Sequence, residues 1–299
     1  MEDNRFSLIN IDGASDVVIK FLDMIEHAVG WCVQPKGKRK DFEDGLDIYK
    51  QGIMQNDQLS TVEKAALYAK SRITFKQYIN QGKIINYALS YITNDSHDDI
   101  NDDFLFMFFD YAKNISNEQI QKIWGRILAE KYNGNDGVNR RLIYCLYMMD
   151  KKIAMLFDKI CHQTIILISE YNWGHIHKEI EYIPLNLNLD DFCDVMFDGL
   201  EYFCCDSAEL ELLEEIGLIT YNKNGYNVYR VTTGSYIVIN NIVHHLKFNN
   251  EENDNLALSN IKFTTVGKTL YKVLTLSQNS SLLGIIKLML KRQDVIVCD

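Results

Sequence analysis

FFDYAKNISNEQIQKIWGRILAE, residues 108–130, decides how the first half of the chain folds. Ser116 followed three residues later by Gln119 fits a capping box, in which each side chain satisfies a backbone N–H that the first helical turn leaves open. Ile120, Trp124, Ile127 and Leu128 then recur at helical spacing and form one apolar face. Gln121, Lys122 and Arg126 lie elsewhere on that helix as a polar surface. Trp124 therefore reads as a core anchor of a helical bundle; contact with a ligand is the competing reading.

The helical pattern extends in both directions. Residues 103–162 form one helical block, broken by an Asn/Gly turn at 133–136, with Asp150 as N-cap between two short helices. Upstream, residues 62–92 hold no Pro and a single Gly, Gly82. They read as one long helix or two joined near Gly82, opened by Ser60 and Thr61 with Glu63 as capping box. Val17, Val18, Phe21, Leu22, Ile25, Ala28 and Val29 predict a first amphipathic helix, ended by Gly30 and Pro35. A basic run comes next, Lys36, Lys38, Arg39 and Lys40, then a more polar helix to about residue 56. Residues 94–103 are an acidic linker, which lacks the order and the glycine of an EF-hand.

After His162 the period changes. Residues 164–169, 176–187, 226–232, 236–240 and 261–264 alternate like strands between Asn/Gly turns, and 189–200, 208–216, 265–274 and 281–292 read as helices. The expected fold is α+β and mostly helical: a helical N-terminal half followed by a mixed α/β half. Three segments are expected, 1–58, 59–163 and 164–299. In the last, a helix ends at Gly217, Leu218-Ile219-Thr220 follows, and a hairpin comes next, an order that resembles winged-helix modules. The helix before that step carries Asp206, Glu209, Glu211, Glu214 and Glu215 and no Lys or Arg, so phosphates would repel it.

The block at 108–130 resembles the bacterial family named domain of unknown function twenty-eight-oh-six, which has a similar acidic-aromatic entry, a similar cap, and a Gln, a Trp and an Ile-Leu-Ala in matching places. Upstream, FLDMIEHAVGWCVQPKGKRK resembles that family's early helix and basic run, and residues 71–92, with Arg72, Gln77 and Asn80, resemble its long middle helix. Residues 140–161 match its helix pair. The chain departs at Ala129-Glu130, where the family has an intervening glycine, and at 133–140, where it has a Pro-Gly-Ser-type turn. More distantly the block is similar to the abortive infection alpha family. That similarity implies a role in defence against phage.

Composition narrows the chemistry. The 299 residues are 47% hydrophobic and 24% charged, ordinary for a globular protein with a sizeable core. A net charge of −10 disfavours non-specific nucleic-acid binding by the whole surface. The seven cysteines show no C-x-x-C spacing and read as thiols in a reducing cytoplasm. The N-terminal residues have neither signal-peptide nor transit-peptide character, and no apolar run reaches membrane-spanning length.

No P-loop, G-x-G-x-x-G or G-x-S-x-G motif is present, so no cofactor and no catalytic residue is expected. His175, His177 and Glu179 would share one face of a strand as metal ligands; an exposed polar strand face is the ordinary alternative. Cys204-Cys205 carries no local catalytic pattern. Lys36, Lys38, Arg39 and Lys40 after an amphipathic helix suit an anionic lipid surface, although Asp16, Asp23 and Glu26 on the same helix oppose it. The reading that results is a cytoplasmic, non-enzymatic defence component with a protein partner or self-association. The alternatives are a membrane-perturbing effector and a nucleic-acid-binding regulator.

Overall fold

Ser60 opens the longest helix by taking the Glu63 N–H on its hydroxyl, while the Glu63 carboxylate accepts the Ser60 N–H at 2.8 Å. The capping box expected there is present, and these bonds hold the Glu63 carboxyl below its usual range. The computed structural model describes residues 15–30, 39–93, 100–172, 176–187, 203–229, 231, 234–249, 255–274 and 281–298. The chain divides into two compact units, Met1–Ile143 and Tyr144–Asp299. The fold is α+β and mostly helical, with a helical region preceding a mixed region of helices and antiparallel sheets. The division falls about twenty residues before the change of period. The helix at 151–162 belongs to the second unit, where its Phe157 meets the ring of Phe263 at 5.8 Å.

In the first unit, α1 (Asp16–Val29) ends at Gly30, whose φ of 67° closes the helix in the left-handed region that glycine enters without penalty. Next along the chain are α2 (Arg39–Gln55) and α3 (Thr61–Leu89); α3 runs without interruption through Gly82, which is buried. α4 (Asp102–Ala112) and α5 (Glu118–Tyr132) complete the core. α5 packs on α3 so closely that a Cβ on Gly125 would come within 2.7 Å of the Ile84 carbonyl oxygen. Trp124 is fully buried and meets Phe108 edge-on at 5.1 Å, and Phe21 meets Tyr132 at 4.9 Å.

The cap of α5 differs from the sequence reading. Asn117, not Ser116, is the N-cap: its backbone is extended and its side chain accepts the Ile120 N–H. The later start moves Gln119 out of the third helical position, so no box closes through it. Ile120 is 42% exposed and leaves the apolar face. Gln121 takes an inward place instead, where its amide nitrogen donates two hydrogen bonds.

In the second unit, α6 (Arg140–Met148), which crosses the division, precedes α7 (Lys151–His162), capped by Asp150 as expected. Then come β1 (Thr164–Asn172), β2 (Ile176–Pro184), α8 (Ser207–Glu215), β3 (Ile219–Tyr229), β4 (Tyr236–Ile239), β5 (Ile242–Phe248), β6 (Asn255–Phe263), α9 (Thr265–Val273), α10 (Leu282–Lys291) and β7 (Val295–Cys298). Five strands form an antiparallel sheet in the order β2-β1-β4-β5-β7, and β3 pairs with β6 in a two-stranded ribbon. Asn240 and Asn241, both at positive φ, make the two-residue turn between β4 and β5. Strand residues Ile165, Leu167, Ile237, Ile239, Leu246, Val295 and Val297 pack with Leu282, Ile285, Ile286 and Leu290 of α10.

The helix ending at Gly217 leads, as read, into a strand pair, α8 being followed by β3, which pairs with β6 ahead of α9, but the pair is not a simple hairpin. β4 and β5 are inserted between the ribbon's two strands and join the other sheet. Thr264 locks the ribbon to the end of α8, its hydroxyl donating to the Gly217 carbonyl at 2.6 Å and its N–H to that of Leu218. The helix expected at 189–200 lies outside the described residues.

Candidate functional site

The most chemically loaded place in the second unit is a cleft of about 170 Å³ between the end of β2, the β3–β6 ribbon and the start of α9. Ile183, Val228, Leu258 and Ile261 supply its apolar lining, Tyr182, Tyr226 and Phe263 its aromatic one, and Glu181, Lys262 and Lys268 its charges. Pairing and helical periodicity bring these together. The ribbon carries Lys262 beside Tyr226, with the ammonium 4.8 Å from the ring centroid. Lys268 and Lys272, four apart on α9, share a face, and each lies 5.0 Å from the ring centroid of Tyr182.

Behind the cleft runs a chain of rings. Tyr182 meets Tyr271 edge-on at 5.6 Å, and Tyr271 stacks on Phe263 at 5.5 Å. Burial, with Cys161 and Tyr182 adding to it, pushes the Tyr271 phenol up to about 12, so it stays a neutral donor at physiological pH. Burial also raises the Glu181 carboxyl; Lys262 opposes the rise, Glu179 adds to it, and Lys268 opposes it.

In the first unit two features stand out. One is a buried polar network that ties α3 to the turn before α5. Gln121 Nε2 donates to the Ile115 carbonyl at 2.7 Å and to Asn80 Oδ1 at 3.2 Å. Asn80 Nδ2 donates to the Lys113 carbonyl at 2.9 Å, and Gln77 Nε2 to Asn114 Oδ1 at 3.0 Å. Residues that carry the sequence resemblance thus meet in space. The other feature is a stripe on the N-terminal half of α3: Val62, Ala66, Ala69 and Ile73, all exposed, Val62 at 78% and Ile73 at 59%. Lys64 and Tyr68, on the opposite side of α3, engage α2, with Lys64 Nζ donating to the Met54 carbonyl and Lys50 lying over the Tyr68 ring.

A family model described as Protein of unknown function (DUF2806) matches residues 67–287. The chain belongs to that family. No curated protein and no solved structure matches it. The DUF2806 match takes in Gln77, Asn80, Gln121 and Trp124 and all of the lysine–tyrosine cleft.

The other residues singled out in the sequence fall in separate places. Lys36 and Lys38 lie outside the described residues, and Arg39 and Lys40 open α2. His175 also lies outside them. His177 and Glu179 stand on β2 opposite Tyr171 and Ser169 of β1. Among the described residues, no group of three or more His, Cys, Asp or Glu is placed to hold a metal ion. Cys205 is buried and Cys204 half-buried, with the Cys204 carbonyl accepting from Lys159 Nζ at 2.6 Å. Burial raises the Cys205 thiol, the opposite of what activates a nucleophile. Among the described residues, no helix is long and apolar enough to cross a membrane.

Reading the sequence alone missed the cleft. Tyr182 and Lys262 are eighty residues apart, and only strand and ribbon placement brings them together. One signal was available: Lys262, Lys268 and Lys272, with Tyr271, form a basic-aromatic concentration in a chain of net charge −10.

Proposed function

We propose that this protein is a non-enzymatic, cytoplasmic component of bacterial defence against phage, of the abortive-infection type, acting through protein contacts that begin with a second copy of itself. The defence setting comes from the distant similarity of residues 108–130 to the abortive infection alpha family. The contact reading is carried by the exposed stripe of Val62, Ala66, Ala69 and Ile73.

The 4-3-4 spacing of that stripe is the seam of a helix pair. Its order is nearly palindromic, large-small-small-large. Two antiparallel copies would place Val62 against Ile73 and Ala66 against Ala69, the self-complementarity that a two-fold interface requires. Glu63 and Lys70, seven apart on one flank, would come opposite each other across the same axis.

Sedimentation velocity on the full chain, paired with phage plaque assays, tests this. The wild-type chain is expected to associate at micromolar concentration, and expression to lower plaque counts. The double substitution Ala66→Glu and Ala69→Glu, at exposed helical positions, should give a monomer with unchanged melting and restore plaque formation. A monomeric wild-type chain would remove the contact reading. Unaffected plaque counts across a broad panel of phages would remove the defence reading. Protection should also survive alanine at His175, His177, Cys204 and Cys205. Its loss on changing His175 and His177 alone, with the fold intact, would move the function to metal chemistry.

A second reading, a nucleic-acid-binding regulator, draws on the lysines of the ribbon and α9. A membrane-perturbing effector would instead use Lys36, Lys38, Arg39 and Lys40, and flotation with anionic vesicles at low salt separates it from the other two.

A further inference from the structure

The cleft between β2, the β3–β6 ribbon and α9 combines three kinds of group that a single ligand class unites. Its lining is apolar and aromatic, from Ile183, Val228, Leu258, Tyr182 and Tyr226. Its rim is cationic, with Lys262 and Lys268 in the lining and Lys272 one helical turn further on α9, all three ammonium groups lying within 5.0 Å of two tyrosine ring centroids. Its wall holds one half-buried carboxylate, Glu181. Three lysines against Glu181 and the exposed Glu179 leave a surplus of positive charge, which suits a phosphate dianion. A flat ring suits the tyrosines and the aliphatic lining. A carboxylate is acceptor-only when ionised, so it calls for a ligand edge that donates N–H.

We propose that this cleft is a binding site for a purine mononucleotide, with the base on the apolar and aromatic lining, its N–H edge on Glu181, and its phosphate on Lys262, Lys268 and Lys272. Guanine is the favoured base, because two neighbouring N–H donors on one edge match the two oxygens of a carboxylate. The cleft, of about 170 Å³, is on the scale of a single base, and the oligothymidylate probe below separates a mononucleotide from a nucleic-acid strand. The lysines at the mouth are partly or fully exposed, so each ammonium can swing from its tyrosine to a phosphate. The site goes beyond the self-association proposed above: it lies in the second unit, shares no residue with the stripe on α3, and is tested by a different readout.

Isothermal titration calorimetry on the full chain decides it, with guanosine and adenosine monophosphates, inorganic phosphate, a short oligothymidylate and an acidic peptide as probes. The expected result is guanosine monophosphate binding at one site per chain, with inorganic phosphate at least about tenfold weaker, a difference of about 1.4 kcal/mol. Lys262→Ala with Lys268→Ala should weaken nucleotide binding at least about tenfold, and Lys262→Arg with Lys268→Arg, which keeps the charge, should retain it. Glu181→Gln should reduce the preference for guanine over adenine while phosphate binding persists. Melting curves of each variant confirm that it folds, and the Arg pair keeps the test interpretable if the Ala pair does not. Equal affinity for phosphate and nucleotide would overturn the proposal in favour of a simple anion site. Binding of the oligothymidylate alone would overturn it in favour of a strand interface, and binding of the peptide alone in favour of a protein contact. No heat with any probe at millimolar concentration would overturn it outright.

Discussion

The units Met1–Ile143 and Tyr144–Asp299 are built on opposite principles. In the first, helices meet through their side chains: α3 packs on α5 and α1 on α4, and the turn between α4 and α5 bonds back to Asn80. In the second, strands meet through their backbones. β5 closes on β7 with Phe248 opposite Val295, and the β3–β6 ribbon is completed only after β4 and β5 have joined another sheet. The first unit's specificity rests on helix caps and one polar network. The second rests on register and on a few close backbone approaches. Each therefore has its own weakest point, and substituting it should loosen one unit and spare the other.

Trp124 is that point in the first unit. It is fully buried against Phe108 on the helix that carries Gly125, and Trp124→Ala is expected to cost about 3–5 kcal/mol in denaturant unfolding. Trp124→Phe should cost less. It keeps most of the aromatic packing and removes an indole N–H that is buried without a hydrogen-bond partner among the described residues. Hydrogen exchange sharpens the comparison. Protection should fall in α3, α4 and α5 of the Ala variant while the amides of β1, β4 and β5 keep theirs. Loss of protection across both units together would show one cooperative block and break the comparison.

The counterpart in the second unit is Gly267. A Cβ there would stand 1.9 Å from the Leu218 carbonyl oxygen, a backbone atom fixed by its bond from the Thr264 N–H. Gly267→Ala must push α9 off the end of α8, with an expected loss of about 3 kcal/mol, at the upper end of overpacking costs. Its exchange pattern should mirror that of Trp124→Ala, loosening α8, β3, β6 and α9 while α3 and α5 stay protected. Because α9 carries Lys268 and Lys272, the same variant should also disturb the cleft.

The same contrast explains what the sequence made legible. Helix positions are set by caps and 3.6-residue spacing, which are local: in the first unit Ser60 with Glu63, Gly30 and the core place of Trp124, and in the second the Asp150 cap, all stand where periodicity puts them. β5 and β7 escaped. β7 has only four residues, and β5 carries His244 inward and Val243 outward, which blurs its alternation. β3 read as two pieces because Asn222–Gly225 loops out of register, with Asn222 Nδ2 donating to the Gly225 carbonyl. The cleft was the least legible feature of all. Its lysines and tyrosines come from three elements whose meeting is a product of strand pairing, and pairing partners leave no local mark.

Even within the legible unit, the reading slipped by one residue at the cap of α5, and the smallest expected effect tests that slip. Ser116 and Asn117 are adjacent, both exposed, and both competent N-caps by residue type. Only Asn117 has its side-chain oxygen on the Ile120 N–H, at 3.2 Å. Asn117→Ala should therefore lower stability by about 1 kcal/mol, whereas Ser116→Ala should stay within about 0.5 kcal/mol of wild type, as for a surface site without a structural role. The reverse order in matched urea titrations would restore Ser116 as the cap. The helix would then start one residue earlier, with Gln119 in the box. Equal, small effects would mean that the buried network from Gln121 to Asn80 and Ile115 sets the start of α5 without help from a cap. The position of α5 would then be owed to a contact 41 residues apart in sequence and not to a local cap, and the caps would distinguish the first unit less from the second.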